Sequence, residues 1–112
     1  FLNELQPHLY FKKQNGDETI NYLLESFELT LPCYQLRKRI KDYVEYLDER
    51  RINNGPIPIA LFVCATTADL LYVKLRARRQ IEESDNDEIK IRVATLEKIR
   101  ATGVASRIWE DI

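Results

Sequence analysis

The chain has 112 residues, 45% hydrophobic and 31% charged, the composition of an ordinary soluble globular domain. A formal net charge of −1 excludes a global field drawing it to nucleic acid or an acidic membrane, so any such attraction must come from a local patch. The longest apolar run, IPIALFVCA (57–65), is too short to cross a bilayer.

HLYFKKQ (8–14) and TINYLLESF (19–27) are rich in β-branched and aromatic residues and flank NGDE. Asn15-Gly16 is a strong hairpin signal, so the first two strands should run antiparallel. Pro32 then opens a helix on which Leu36, Ile40, Tyr43, Val44 and Leu47 recur at the spacing of one apolar face. The same segment is rich in Lys and Arg. Lys38 stands four before Asp42, Lys41 four before Glu45, and Glu45 four before Glu49. Opposite charges at that spacing stabilise the helix itself. The face therefore reads as a solvated one in preference to a phosphate-binding surface.

NNGP (53–56) ends the helix. Segment 57–65 does not alternate, which predicts a central strand covered on both faces. Thr66 or Thr67 can cap a second helix, with Asp69 in its first turn, running to about Glu83. Its first half, ADLLYVKL (68–75), is apolar almost all round. One stripe covers the sheet; the other is left for the first helix, a missing domain or another copy, and the candidate interface is Leu70, Leu71, Tyr72 and Val73. The second half turns basic and runs into the acidic EESDNDE (82–88), which lacks the glycine and terminal Glu of a calcium loop and reads as a solvated loop.

EIKIRVA (88–94) alternates, with Ile89, Ile91 and Val93 inward and Lys90 and Arg92 outward. TLEKIRATG (95–103) reads as a short helix capped by Thr95 and stopped by Gly103, and Trp109 should seat on the core. The order strand, strand, helix, strand, helix, strand, helix implies an α+β domain: a mixed β-sheet with an N-terminal β-hairpin and helices packed on it. Crossovers should be right-handed. The whole chain, 1–112, reads as one domain. It begins at Phe1 and contains no Met, so it is expected to be a segment of a longer protein.

Chemistry-bearing groups are sparse. A single His leaves no His-pair metal site and few nucleophilic triads, and none of the three glycines belongs to a phosphate-cradling loop. Cys33 and Cys64 lie without a second Cys or His at ligand spacing, and read as buried free thiols of a reducing, cytoplasmic compartment.

The element order resembles the core of the PD-(D/E)xK nuclease-like superfamily and, within it, the replication-relaxation proteins of plasmids and integrative mobile elements. The residues that carry the resemblance are QPHLYF (6–11), YLLESFELT (22–30), IKDYVEYL (40–47) and IPIALFVCATTADL (57–70). It implies a restriction-endonuclease-like core behind an upstream winged-helix DNA-binding region. The nuclease chemistry of that superfamily needs two carboxylates for Mg²⁺ and a lysine that activates water. At the corresponding positions stand His8, Glu25 and Phe27, one of the three required groups. A rearranged site would take Glu28 as its second carboxylate only if that residue flipped to the other strand face, with Lys38 or Lys41 reaching in from the helix as a migrated lysine.

Three functions follow. The first is a non-catalytic nuclease-like module for assembly or regulation in a DNA-handling protein, without a cofactor and with a second copy or another protein as partner. The second is direct DNA binding by Arg37, Lys38, Lys41, Lys74, Arg76, Arg78 and Arg79, which requires both helices on one side of the sheet. The third is a metal-dependent nuclease with rearranged ligands. An unrelated small α/β domain is the reading if the resemblance is chance.

Overall fold

The Asn15-Gly16 signal produces the hairpin, with the turn displaced by one residue. Strands β1 (Leu9–Asn15) and β2 (Glu18–Phe27) pair antiparallel with Asn15 opposite Glu18, so the loop residues are Gly16 and Asp17. Gly16 has φ +64°, the first position of a II′-type two-residue turn, which glycine enters without steric cost. The computed structural model describes residues 8–27, 32–52, 57–86, 88–103 and 108–112.

Helix α1 (Cys33–Ile52) follows, and the Pro32 carbonyl accepts from the N–H groups of Gln35 and Leu36. Leu36, Ile40, Tyr43, Val44 and Leu47 are all buried, as their spacing predicts. Strand β3 (Ile59–Cys64) is buried at all six positions. It lies between β2 and β4 (Ile91–Thr95), parallel to both. Among the described residues it is the middle strand of five, in the order β1-β2-β3-β4-β5.

The steps β2 to β3 to β4 cross the sheet in one direction, and crossovers of one hand then place α1 and α2 (Thr67–Ser84) on the same face. The main core bears this out: Leu36, Ile40 and Tyr43 of α1 and Leu70, Val73 and Ala77 of α2 enclose Leu23, Phe27, Phe62 and Val93 of the sheet. On the opposite face Tyr22, Ile59 and Leu61 form a smaller cluster with Phe11, Leu24 and Trp109. Phe11 stacks on Tyr22 with centroids 5.1 Å apart.

Thr66 is the α2 N-cap, its side chain accepting from the Asp69 N–H at 3.1 Å. Thr95 caps α3 (Leu96–Thr102) in the same way, and Gly103 closes it at φ +87°. Among the described residues no helix is long and apolar enough to cross a membrane.

Four details differ from the sequence reading. The fourth strand begins at Ile91, not Glu88, although Ile89 is still buried and the Lys90 carbonyl accepts from Ala60 N–H at 3.1 Å. A fifth strand, β5 (Glu110–Asp111), pairs antiparallel with β4. Two acidic residues carry no strand pattern; the neighbouring Arg92, bonded to Asp111 at 3.0 Å, supplies what the pattern lacks.

The acidic loop after α2 is not wholly solvated. Asn86 is buried, donates to Asp48 of α1 at 2.8 Å, and accepts from the Glu88 N–H at 3.0 Å. Finally, Cys64 is buried but Cys33, at the start of α1, is exposed; both thiols are free.

Two outcomes test this architecture. Phe62→Ala, at the centre of both the sheet and the aromatic cluster, should cost about 3–5 kcal/mol, read from equilibrium urea unfolding. A thiol reagent at pH 8 should label Cys33 rapidly in the native protein and Cys64 only after denaturation. Burial, followed by the charge of Asp69, pushes the Cys64 thiol up to about 12, where almost none of the reactive thiolate exists.

Candidate functional site around Glu25

A carboxylate stands where the strand pattern calls for an apolar side chain. Leu23, Glu25 and Phe27 share the helix-covered face of β2, and Glu25 is only 7% exposed. Burying such a charge is costly unless it is paired and hydrogen-bonded. Two residues one turn apart on α1 supply the partners. Arg39 Nη2 donates to Glu25 Oε1 at 2.9 Å, and Tyr43 OH donates to the same oxygen at 2.7 Å.

The partners are themselves held. The Arg39 guanidinium lies over the Tyr43 ring, 5.0 Å from its centroid. That ring meets Phe62 edge-on with centroids 5.0 Å apart, and Phe62 meets Phe27 in the same manner at 5.0 Å. The chain Phe27–Phe62–Tyr43 thus aims the phenol at the carboxylate. Burial works against the Arg39 charge, but the hydrogen bond and charge of Glu25 outweigh it and hold Arg39 above its ordinary range. Burial, then the hydrogen bond to Glu25 and its charge, push the Tyr43 phenol far above its ordinary 10.0.

His8 approaches from the other side. The pairing of Leu9 with Leu24 puts His8 across from Glu25, with Nε2 3.8 Å from Oε2, beyond hydrogen-bond range. Its Nδ1 accepts from the Ser26 N–H at 3.0 Å, which fixes the ring with Nε2 turned toward the carboxylate.

The structure therefore brings together His8 and Glu25, two of the three positions matched to the nuclease pattern. Phe27, the third, is buried against Phe62. Glu28 lies outside the described residues. Lys38 and Lys41 point away from Glu25, exposed and spaced 3.7 Å from Asp42 and 3.9 Å from Glu45. The cation that reaches Glu25 is Arg39, which the sequence reading passed over. Its signal was present: Arg39 and Tyr43 stand four apart on the flank of the apolar stripe, where a long side chain can reach a buried acid on the strand below. Chemically, Oε1 is saturated by two donors, and no group of three or more His, Cys, Asp or Glu suited to a metal occurs among the described residues.

The basic residues divide. Arg37, Lys38, Lys41, Arg78 and Arg79 are exposed. Lys74 is partly covered and lies 3.4 Å from Glu110 of β5, and Arg76 is half-buried with Nε enclosed and without a hydrogen bond. Of the residues read as an interface, Leu70 and Val73 belong to the chain's own core and Tyr72 packs against it, leaving Leu71, 61% exposed, to face outward. Leu75, 46% exposed, extends that stripe by one turn. Comparison with family models, curated proteins and solved structures finds no match for this chain.

The alkaline limb of stability tests the site. Tyr43 and Cys64 both have folded pKa values above their ordinary 10.0 and 9.0. The unfolded chain releases these protons first, so their contribution is complete below pH 9.0 and declines as pH rises past it. Tyr43→Phe should flatten the decline above pH 10.0, measured as urea midpoint against pH. Parallel curves for the two proteins would contradict the assignment.

Proposed function

We propose that the chain is a non-catalytic, nuclease-like module that serves assembly or regulation within a DNA-handling protein of the plasmid-replication or mobile-element kind. The observation that carries this reading is the state of the one acid at a motif position. Glu25 has both donors of α1 on Oε1, and Phe27 fills the lysine position with a core ring. A Mg²⁺ ion at Glu25 would find Oε1 already taken by a guanidinium and a phenol and the Arg39 cation beside it, and the carboxylate would still need oxygen partners.

The resemblance supplies the DNA-handling context, in which an upstream winged-helix region contacts DNA and this domain joins copies or partners. Two free thiols agree with a cytoplasmic setting.

The test is a Mg²⁺ or Mn²⁺ titration of wild type and Glu25→Ala, followed by NMR and by cleavage of plasmid DNA. Equal, weak responses and no cleavage are expected. A response or a cleavage confined to wild type would overturn the reading in favour of a nuclease with rearranged ligands.

One observation favours a second reading, direct DNA binding. With α1 and α2 on one face, Arg37, Lys38, Lys41, Arg78 and Arg79 share the outer helix layer. Asp42, Glu45, Glu82 and Glu83 lie on the same two helices and dilute the patch. Retention on DNA at ~50 mM salt that falls steeply as salt rises, and that Lys41→Glu abolishes, would establish this reading. Absence of retention at that salt would remove it.

A further inference from the structure

We infer that the open edge of β1 is the surface through which two copies of this chain join, in one register: antiparallel, with Phe11 of one copy directly opposite Phe11 of the other. The inference deepens the assembly reading above and rests on it.

The argument begins with hydrogen-bond parity. In a hairpin closed by a two-residue loop, the flanking residues Asn15 and Glu18 form a hydrogen-bonded pair, and such pairs then alternate along the ladder. With the observed register, Lys13, Phe11 and Leu9 bond inward to β2. Tyr10, Lys12 and Gln14 therefore turn their main-chain N–H and C=O groups outward. The Ser26 N–H has the parity that points toward β1, and it is indeed the group taken by His8 Nδ1. Among the described residues no strand neighbours β1 on its outward side, where it ends the sheet. Its side chains leave the approach clear: Leu9 is 50% exposed, Tyr10 is 39% exposed, and Lys12, Lys13 and Gln14 are exposed.

Charge then selects the occupant's register. An unguarded edge invites pairing, and lysine on the edge is a common guard against it. If two β1 strands met with the two-fold axis at Lys12 or Lys13, identical ammonium groups would face each other, which is destabilising. An axis at Tyr10 would pair only residues 9–11 of the strand; with the axis at Phe11, residues 9–13 pair and outward-bonding residues still meet outward-bonding residues, so the ladder closes. Tyr10 then faces Lys12 of the other copy, a cation beside an aromatic ring. Leu9 faces Lys13, whose methylene stem can lie along it, and Phe11 faces Phe11. The axis stands perpendicular to the sheet, so the Phe11–Tyr22 stack of each copy would continue the second-face cluster across the junction.

Head-to-tail pairing through the other edge is less suited. That edge, β5, is two residues long, and its acids Glu110 and Asp111 already meet Lys74 and Arg92. A closed pair is the result, not a filament. Strand pairing alone is a small interface, at the weak end of specific association.

The test is disulfide trapping with sedimentation. In a Cys33→Ser background, Phe11→Cys should yield a covalent dimer under mild oxidation, because residues facing at a non-hydrogen-bonded pair have Cα atoms about 4.5 Å apart, within disulfide reach. Lys12→Cys in the same background should remain uncrosslinked. Independently, Lys12→Pro removes only an outward N–H and should leave the circular dichroism spectrum and fold intact while abolishing concentration-dependent self-association. A protein that self-associates but crosslinks at Lys12→Cys instead, or that still self-associates with Lys12→Pro, overturns the β1 edge and leaves the assembly reading standing. A strict monomer at every concentration overturns this junction. If another protein partner is not bound either, the assembly reading falls with it.

Discussion

One buried carboxylate governs how the helix layer sits on the sheet. Desolvating a carboxylate costs several kcal/mol after relaxation, and Glu25 has water on almost none of its surface. The fold meets that requirement by aiming Arg39 and Tyr43, one turn apart, at a single oxygen. Both contacts can form only if α1 has one rotation about its axis and one register along β2. An apolar stripe packed on an apolar sheet would tolerate some sliding; two converging donors do not.

That fixed rotation has consequences on both sides of the helix. Inward, it seats Tyr43 edge-on against Phe62, the central residue of the middle strand, so the polar lock and the aromatic core hold one another. Outward, it turns Arg37, Lys38 and Lys41 to solvent, where Lys38 meets Asp42 and Lys41 meets Glu45 of their own helix before any partner. The chemistry of the site follows from the same geometry. A carboxylate engaged by a guanidinium and a phenol serves as part of the scaffold, and two positions on along β2 stands the core ring of Phe27. On the proposed assembly reading, functional weight lies at the surfaces of the sheet and at the β1 edge with its outward-facing main chain.

Much of the architecture was legible in residue order. The unbroken apolar run from Ile57 to Ala65 announced a strand covered on both faces, and β3 is buried throughout. The spacing of Leu36, Ile40, Tyr43, Val44 and Leu47 marked the buried side of α1, and Thr66 and Thr95 marked two helix starts. What was not legible depends on contacts distant in sequence. β5 exists because β4 offers it a ladder and Arg92 a counter-ion. Asn86 is buried because Asp48, thirty-eight residues away, accepts from it. The candidate site was half visible: Glu25 was singled out by its place in the resembled motif, but its partner Arg39 looked like one more charge on a basic helix. Leu70 and Val73 read as surplus apolar surface because a helix that packs against both a sheet and a neighbouring helix needs a wider stripe than the sheet alone requires.

The polar lock is most directly measured by a double-mutant cycle on unfolding free energy, using Glu25→Gln, Arg39→Met and the pair together at neutral pH. A locking role predicts a coupling of about 1–3 kcal/mol between the two positions, with the double variant less destabilised than the sum of the singles. Strictly additive effects would mean that Glu25 and Arg39 do not depend on one another, and the account of how α1 is set on the sheet would be contradicted.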